Sequence, residues 1–164
     1  FFSTHVSGMA CGSSHMCVLL VTGAVRCWGA NTFGQLGNGT TSSDVVVVPG
    51  ATIPGFIATK VAAGGNYTCA QTSDQRAVTC WGSNASLVVS ADNSITTFPN
   101  PTAVSLGLPA GLNVAELASA PVAGHICAII SDGSLMCWGQ NGYRQAAPDS
   151  TATAVTPGFV KANW

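Results

Sequence analysis

The sequence predicts an all-β protein made of three similar units, and two observations carry this prediction. A pair of cysteines separated by a short polar turn occurs three times, and Trp-Gly follows the second cysteine each time. The recurrence has a period of about fifty residues. A strand, a polar turn and a second strand between each pair of cysteines form the pattern of a hairpin. Helical segments are nearly absent.

Hairpin geometry predicts how these cysteines pair. In the third unit, a three-residue loop with Gly133 in the left-handed conformation makes Ile130 and Ser134 the closing pair. Cys127 then lies opposite Cys137 at a non-hydrogen-bonded position, where Cα atoms are roughly 4.5 Å apart and a disulfide can form. The second unit has one more residue between its cysteines and a loop one residue longer, closed by Thr72 and Ala77, so the pairing is the same. The predicted disulfides are Cys17–Cys27, Cys69–Cys80 and Cys127–Cys137.

Each hairpin strand is predicted to be covered on both sides. Along the first hairpin strand of the third unit, residues on both faces are apolar or only weakly polar. Blades stacked around an axis bury both faces of each sheet, so the pattern favours a partial β-propeller of three four-stranded blades. Val45–Val48 is predicted as an outer strand of the first blade. The predicted segments are 1–52 for the first blade, 53–107 for the second, and 108–164 for the third with the start of a following blade.

Composition restricts the partners and the compartment. The chain has five Lys or Arg and six Asp or Glu residues and a net charge of −1, which excludes the basic clusters that nucleic acid and anionic membranes require. No apolar run is long enough to insert into a membrane. Seven cysteines predict an oxidising, extracellular or cell-surface location. Three sequons predict N-linked glycans, with Asn84 ranked first, Asn38 second and Asn66 last.

The residue inventory predicts a protein without catalysis, cofactor or metal. His15 and His125 recur at equivalent places, but the only Glu is Glu116 and paired carboxylates are not visible, so both rings are interpreted as buried and satisfied by backbone. Zinc ligation by the cysteines is the alternative to disulfides, but Cys-x-x-Cys knuckles are absent. Cys11 is interpreted as a buried free thiol, with a bond to a cysteine outside the chain as the alternative. The tryptophans of the three units are interpreted as core residues, with a sugar-binding platform as the alternative: Trp28, Trp81 and Trp138.

The first unit resembles the RCC1 (regulator of chromosome condensation) repeat. The motif runs from Cys11-Gly-Ser-Ser-His-x-Cys17 through Cys27-Trp-Gly-x-Asn31 to Phe33-Gly-Gln-Leu-Gly-Asn-Gly39. The second unit keeps Cys80-Trp-Gly-x-Asn84, and the third matches in part over 138–145. The resemblance implies a β-propeller of about seven blades and looks most like the secreted, disulfide-containing type. The resemblance also implies nucleotide exchange on a small GTPase as a remote alternative. In the family, specific surface loops perform this exchange, and this chain has no segment that matches them.

The predicted function is a non-catalytic extracellular structural subunit of a fibre, surface layer or appendage. Three blades cannot close a ring, so the expected partners are copies of this chain or a longer parent chain. The alternative is a secreted propeller-type module that binds a carbohydrate or protein ligand. Four terminal residues are predicted to contact the neighbouring blade or chain: Phe1, Phe2, Phe159 and Trp164.

Overall fold

The regular structure of the chain is built from strands. The computed structural model describes residues 5–42, 53, 56–73 and 77–156, and within these residues eleven strands form three antiparallel sheets. The described residues include no helix long and apolar enough to span a membrane. Each sheet lies within one of the three predicted segments and constitutes one blade.

The strands of each blade are adjacent in sequence and in space. The first blade contains β1 (Val6–Cys11), β2 (His15–Leu20) and β3 (Val25–Gly29) in that order. The second contains β4 (Ala58–Ala63), β5 (Tyr67–Thr72), β6 (Val78–Ser83) and β7 (Thr97–Val104). The third contains β8 (Val114–Ala118), β9 (His125–Ile130), β10 (Leu135–Gln140) and the short β11 (Ala154–Val155). The outer strand predicted at Val45–Val48 lies outside the described residues.

The hairpin turns have the predicted closing pairs. In the third blade, Ile130 N–H donates to the Ser134 carbonyl at 2.8 Å, and Gly133 has a φ of 84°. That positive φ favours glycine because it has no Cβ. In the second blade, Thr72 N–H donates to the Ala77 carbonyl at 3.0 Å across the longer loop. Loop length and cysteine spacing therefore change together.

The three blades meet at one set of turns, those before β2, β5 and β9. Ser13 N–H donates to the Gly65 carbonyl at 3.0 Å, and Gly65 N–H donates to the Ala123 carbonyl at 2.9 Å. The Ser13 hydroxyl also donates to the Pro121 carbonyl at 2.8 Å, which joins the first blade directly to the third. Between the sheets, one buried apolar cluster joins the first and second blades and another joins the second and third.

Candidate protein interface

The hairpin cysteines form the three predicted disulfides. Cys17–Cys27, Cys69–Cys80 and Cys127–Cys137 each join directly opposite residues, with Cα atoms 4.1 Å apart in every pair. Their side chains point to the same side of each sheet, which we call the forward face because in the first two blades it points to the next blade. Five equivalent residues make up each forward face. They are His15, Cys17, Leu19, Val25 and Cys27 in the first blade, Tyr67, Cys69, Gln71, Val78 and Cys80 in the second, and His125, Cys127, Ile129, Leu135 and Cys137 in the third.

The forward faces differ sharply in burial. All ten residues in the first and second blades are buried, whereas none of the five in the third blade is. At one repeat position, Leu19 is 5% exposed, Gln71 is 1% exposed and Ile129 is 46% exposed. The equivalent face is covered by the next blade in the first and second blades, whereas in the described part of the chain it is partly open in the third. The residues Phe1, Phe2, Phe159 and Trp164, predicted as assembly contacts, lie outside the described residues.

The junction of the first and second blades is held by hydrogen bonds as well as apolar packing. The carbonyl oxygen of Gln35 accepts from the indole N–H of Trp81 at 2.9 Å and from the hydroxyl of Thr68 at 3.1 Å. His15 Nε2 lies 2.8 Å from the Thr68 hydroxyl oxygen. Because that hydroxyl already donates to Gln35, the bond requires His15 to donate from Nε2.

His15 is buried as predicted. Its Nε2 bonds to the Thr68 side chain, and its Nδ1 is buried without a hydrogen bond of good geometry among the described residues. Desolvation by burial lowers the pKa of His15 to about 4, and the backbone of Tyr67 opposes this shift. The prediction was wrong for His125, which lies on the third forward face and is only partly buried. No following blade covers it in the described part of the chain.

The junction of the second and third blades repeats the indole contact. Trp138 donates its indole N–H to the Val88 carbonyl at 2.9 Å, as Trp81 does to Gln35. The Tyr67 hydroxyl donates to the His125 carbonyl at 2.6 Å, and burial raises the pKa of this phenol. Lys60 and Glu116 form an ion pair of 3.2 Å between the two blades. Trp81 and Trp138 are thus core residues as interpreted, whereas Trp28 is only partly buried.

A buried asparagine organises the loop after the third strand of each blade. Asn31, Asn84 and Asn141 are 0%, 2% and 2% exposed. Each accepts at least one backbone N–H group through Oδ1 and donates through Nδ2 to a carbonyl farther along the same loop. These residues were not recognised as structural in the sequence, although Trp-Gly-x-Asn recurs at the same offset in all three repeats.

The same anchoring disfavours Asn84, the first-ranked glycosylation site. The Nδ2 atom of Asn84 donates to the Asp92 carbonyl at 2.9 Å and to the Ile95 carbonyl at 3.1 Å inside the loop. A glycan is attached through that same nitrogen, so a glycan on Asn84 would require at least one of these bonds to break and the loop to open. Asn38 is exposed and Asn66 is partly buried.

Each asparagine-centred loop turns through a residue with positive φ. Gly34, Leu87 and Arg144 have φ values of 77°, 58° and 59°. Each donates its N–H to the carbonyl of the loop asparagine at 2.8 to 2.9 Å. The following residue is Gln35 or Val88 in the first two loops, where its carbonyl accepts the indole of the next blade. The first and second loops therefore extend over the blade that follows them. In the third loop, Gln145 occupies the position equivalent to Gln35 and Val88.

The free thiol differs from expectation. Cys11 is exposed, and the buried thiol interpreted from sequence is therefore wrong. Its repeat equivalent, Ala63, is 3% exposed because the first blade packs against that side of β4. Cys11 lies on the same side of β1 as Met9, which is 68% exposed.

The described residues show no gathering of three or more His, Cys, Asp or Glu side chains that could hold a metal ion. A surface depression of about 450 Å³ lies between the first hairpin turn and the start of β4. It is a shallow, open groove, and its lining includes no acidic, basic or histidine side chain.

Comparison with known proteins identifies the repeat that the sequence of the first unit resembles. Two models of the Regulator of chromosome condensation (RCC1) repeat match residues 6–35 and 22–71. The Arabidopsis thaliana ultraviolet-B receptor UVR8 is 38% identical over 69 residues, which is 42% of this chain and 16% of the receptor. The human WBSCR16 structure has a TM-score of 0.74 and 26% identity, covering 93% of this chain and 38% of that one. Prp20p from Saccharomyces cerevisiae has a TM-score of 0.67 and 25% identity, covering 85% of this chain and 33% of that one.

The fold defines a class: an all-β repeat protein that forms part of a β-propeller. More particularly, the chain is an RCC1-like repeat protein with a disulfide in each of three blades. It spans well under half the length of the relatives that it matches.

Proposed function

We propose that the chain is a non-catalytic extracellular assembly module that joins another protein surface through the forward face of its third blade. The observation that carries this proposal is the contrast between the covered and the open forward faces. Exposed apolar sheet surface is favourable to bury, and the two existing junctions show how this repeat buries it.

A protein is the partner that suits this face. Its exposed or partly exposed residues include Ile129, Leu135 and a disulfide, and none of its five members is acidic or a permanent cation. The relative Prp20p has binding properties toward Gsp1p and histones, which are proteins.

An extracellular setting is supported by the cysteines. Six of the seven form disulfides, and such bonds persist mainly in oxidising compartments. The exposed sequon at Asn38 is compatible with passage through a glycosylating compartment.

The mass of the secreted particle tests the assembly proposal. We expect the wild-type chain, secreted from eukaryotic cells, to form particles heavier than one 16.5 kDa chain by light scattering. Ile129→Asp places a charge on the third forward face and should reduce the particle to a single chain. Val122→Asp is the matched control, because Val122 is 85% exposed in the turn before β9, and it should leave the mass unchanged. A wild-type particle with the mass of one chain would contradict the proposal.

Glycopeptide mass spectrometry of the same material tests the extracellular setting. We expect a glycan on Asn38 and none on Asn84 in the folded fraction, because the Asn84 amide is enclosed in its loop. Replacing Thr40 by Ala should remove the modification at Asn38 and serves as the control. Unmodified Asn38 or a modified Asn84 would overturn this expectation.

A carbohydrate-binding module is a second candidate, favoured by two exposed aromatic rings. Phe33 and Tyr143 occupy equivalent loop positions and are 37% and 91% exposed. Aromatic faces are common platforms for sugars. A glycan array separates the candidates, since binding that is lost in Tyr143→Ala but kept in Ile129→Asp would favour this second function.

A further inference from the structure

We propose that Asn38 and Gly39 form a modification site at which the asparagine converts, without an enzyme, into aspartate or isoaspartate. We further infer that the junction of the first and second blades controls the rate of this deamidation. The inference does not rest on the proposed function, because the loop that carries the site and the strand against which it packs are both described.

The sequence supplies the reacting pair, since Gly39 directly follows Asn38. In deamidation, the backbone nitrogen of the second residue attacks the side-chain carbonyl carbon of the asparagine and loses its proton. The side-chain nitrogen leaves as ammonia, and a cyclic succinimide forms. Water then opens either side of the succinimide, which gives aspartate or isoaspartate. Glycine favours the attack because it has no Cβ and adopts many backbone conformations.

Hydrogen bonds hold the two reacting groups apart in the folded chain. Both residues are exposed, so water reaches them. The Gly39 N–H, which carries the attacking nitrogen, donates to the Pro99 carbonyl of β7 at 2.9 Å. The Asn38 Oδ1 accepts from the Thr40 N–H at 3.1 Å and from the Thr40 hydroxyl at 2.8 Å. Attack therefore requires the bond between Gly39 and the second blade to break.

Close backbone contacts keep the loop against the second blade. Gly34 and Gly37 are buried there. A Cβ atom on Gly34 would lie 2.5 Å from the Cα atom of Pro99, and one on Gly37 would lie 2.8 Å from the indole nitrogen of Trp81. These contacts hold Gly39 at Pro99, so its nitrogen becomes free when the junction opens locally.

The same dipeptide in the third repeat is held in a different way. Asn141 is followed by Gly142, and its side chain is 2% exposed. Its Oδ1 accepts from the N–H groups of Ala146 and Ala147 at 3.0 and 2.9 Å. These bonds lie within one loop and do not cross between blades. The chain thus contains two copies of one reactive pair, of which only the first is held by a junction.

The modification is a one-way record of junction opening. Isoaspartate adds a methylene group to the backbone before Gly39, so closing the junction cannot restore the original contact with Pro99. A glycan on Asn38 would be attached to the nitrogen that leaves. Glycosylation and deamidation therefore compete for the same atom, and the reaction concerns chains that lack the glycan.

The test measures deamidation at both sites in the full 164-residue chain, made without glycans in a bacterial periplasm and incubated at neutral pH. Peptide mapping after digestion at acid pH gives the two rates. In urea with the disulfides intact, Asn38 and Asn141 should convert at similar rates, and in native protein Asn38 should convert at least about tenfold more slowly than in urea.

A wedge between the loop and β7 tests control by the junction. Gly34→Ala places a Cβ against Pro99 and should speed conversion of Asn38 about tenfold or more, without changing Asn141. Gly133→Ala is the matched control. Its φ of 84° is close to the 77° of Gly34, but its Cβ would meet nothing within 4 Å, so Asn38 should convert at the wild-type rate.

A second variant keeps the test decisive if Gly34→Ala does not fold. Leu19→Ala loosens the same junction from its apolar core and should also speed conversion of Asn38. Native Asn38 that converts as fast as in urea, or a rate that neither variant changes, would overturn control by the junction. Equal acceleration of Asn38 and Asn141 would assign control to global unfolding instead. Absence of conversion at Asn38 in urea would reject the site.

Discussion

The forward faces of the first and third blades have the same strand register and the same disulfide, yet one is buried and the other is open. Leu19 and Ile129 occupy the same position and are 5% and 46% exposed. The difference comes from what lies next to the face, since the second blade covers the first through Ala70 and Trp81. Burial in this repeat is therefore a property of the junction between blades and not of the blade alone.

The largest expected effect is the difference in the free energy of unfolding between an aspartate placed on the first forward face and one placed on the third. Leu19→Asp should lower the free energy of unfolding by about 4 kcal/mol or more, because an unpaired carboxylate would be buried beneath the second blade. Ile129→Asp should change it by less than about 1 kcal/mol in the single chain, because this position is open. Urea unfolding at neutral pH measures both. Should Leu19→Asp fail to fold, Leu19→Ala with an expected loss of about 2 to 3 kcal/mol replaces it. Equal losses for Leu19→Ala and Ile129→Ala would contradict the comparison.

Acid should weaken the covered junction selectively. The pKa of His15 is lowered from 6.5 to about 4, so the unfolded chain binds a proton at a higher pH than the folded chain does. Stability should therefore be constant above pH 6.5 and fall as the pH drops toward about 4, by up to about 3 kcal/mol. His15→Gln keeps an N–H donor for Thr68 but does not titrate. Urea unfolding at a series of pH values should therefore show a smaller decrease in the free energy of unfolding between pH 6.5 and about 4 for this variant. An unchanged pH dependence in His15→Gln would show that other groups control it.

Local features of the fold were accessible from sequence because hairpins close locally. Cysteine spacing and turn length together gave the three disulfides, since both are fixed within about a dozen residues. The open face was not accessible in the same way. Ile129 is as apolar as a buried residue, and only the arrangement of blades shows that nothing described covers it.

The glycosylation site ranked first and the thiol interpreted as buried both lie in surroundings other than those expected, for different physical reasons. The Asn84 sequon is a three-residue pattern, but the repeat offset shared with Asn31 and Asn141 reflects a buried loop anchor. A comparison of repeats would have identified it. Cys11 was compared correctly with Ala63, but Ala63 has a neighbouring blade on its side and Cys11 has none in the described part of the chain. Equivalence in a repeat gives the direction of a side chain, whereas its burial depends on the neighbouring blade.

Mild reduction should distinguish the third disulfide from the other two. Thiol exchange needs access to a sulfur atom, and Cys127 and Cys137 are partly exposed, whereas the four cysteines of the other two disulfides are 0% to 4% exposed. The covered bonds react only when a junction opens. In the single chain we expect Cys127 and Cys137 to be alkylated about tenfold faster or more, a difference of roughly 1.4 kcal/mol. Mass spectrometry of trapped peptides measures this, and docking on the third face should remove the difference. Uniform reduction of all three bonds would mean that the third face is already covered.

The smallest expected effect is a gain in stability at the rim of the open face. Arg144 has a φ of 59°, a conformation in which a Cβ is unfavourable, whereas Gly34 holds the equivalent position in the first loop. Arg144→Gly should therefore raise the free energy of unfolding of the single chain by about 0.5 to 1 kcal/mol. Arg144→Ala removes the charge but keeps the Cβ, so it should give no such gain. Leu87→Gly relieves the same strain but loses a partly buried side chain, so its gain should be smaller or absent. Thermal and urea unfolding of the three variants measure the differences. A loss of stability in Arg144→Gly would show that the arginine side chain supports the loop itself.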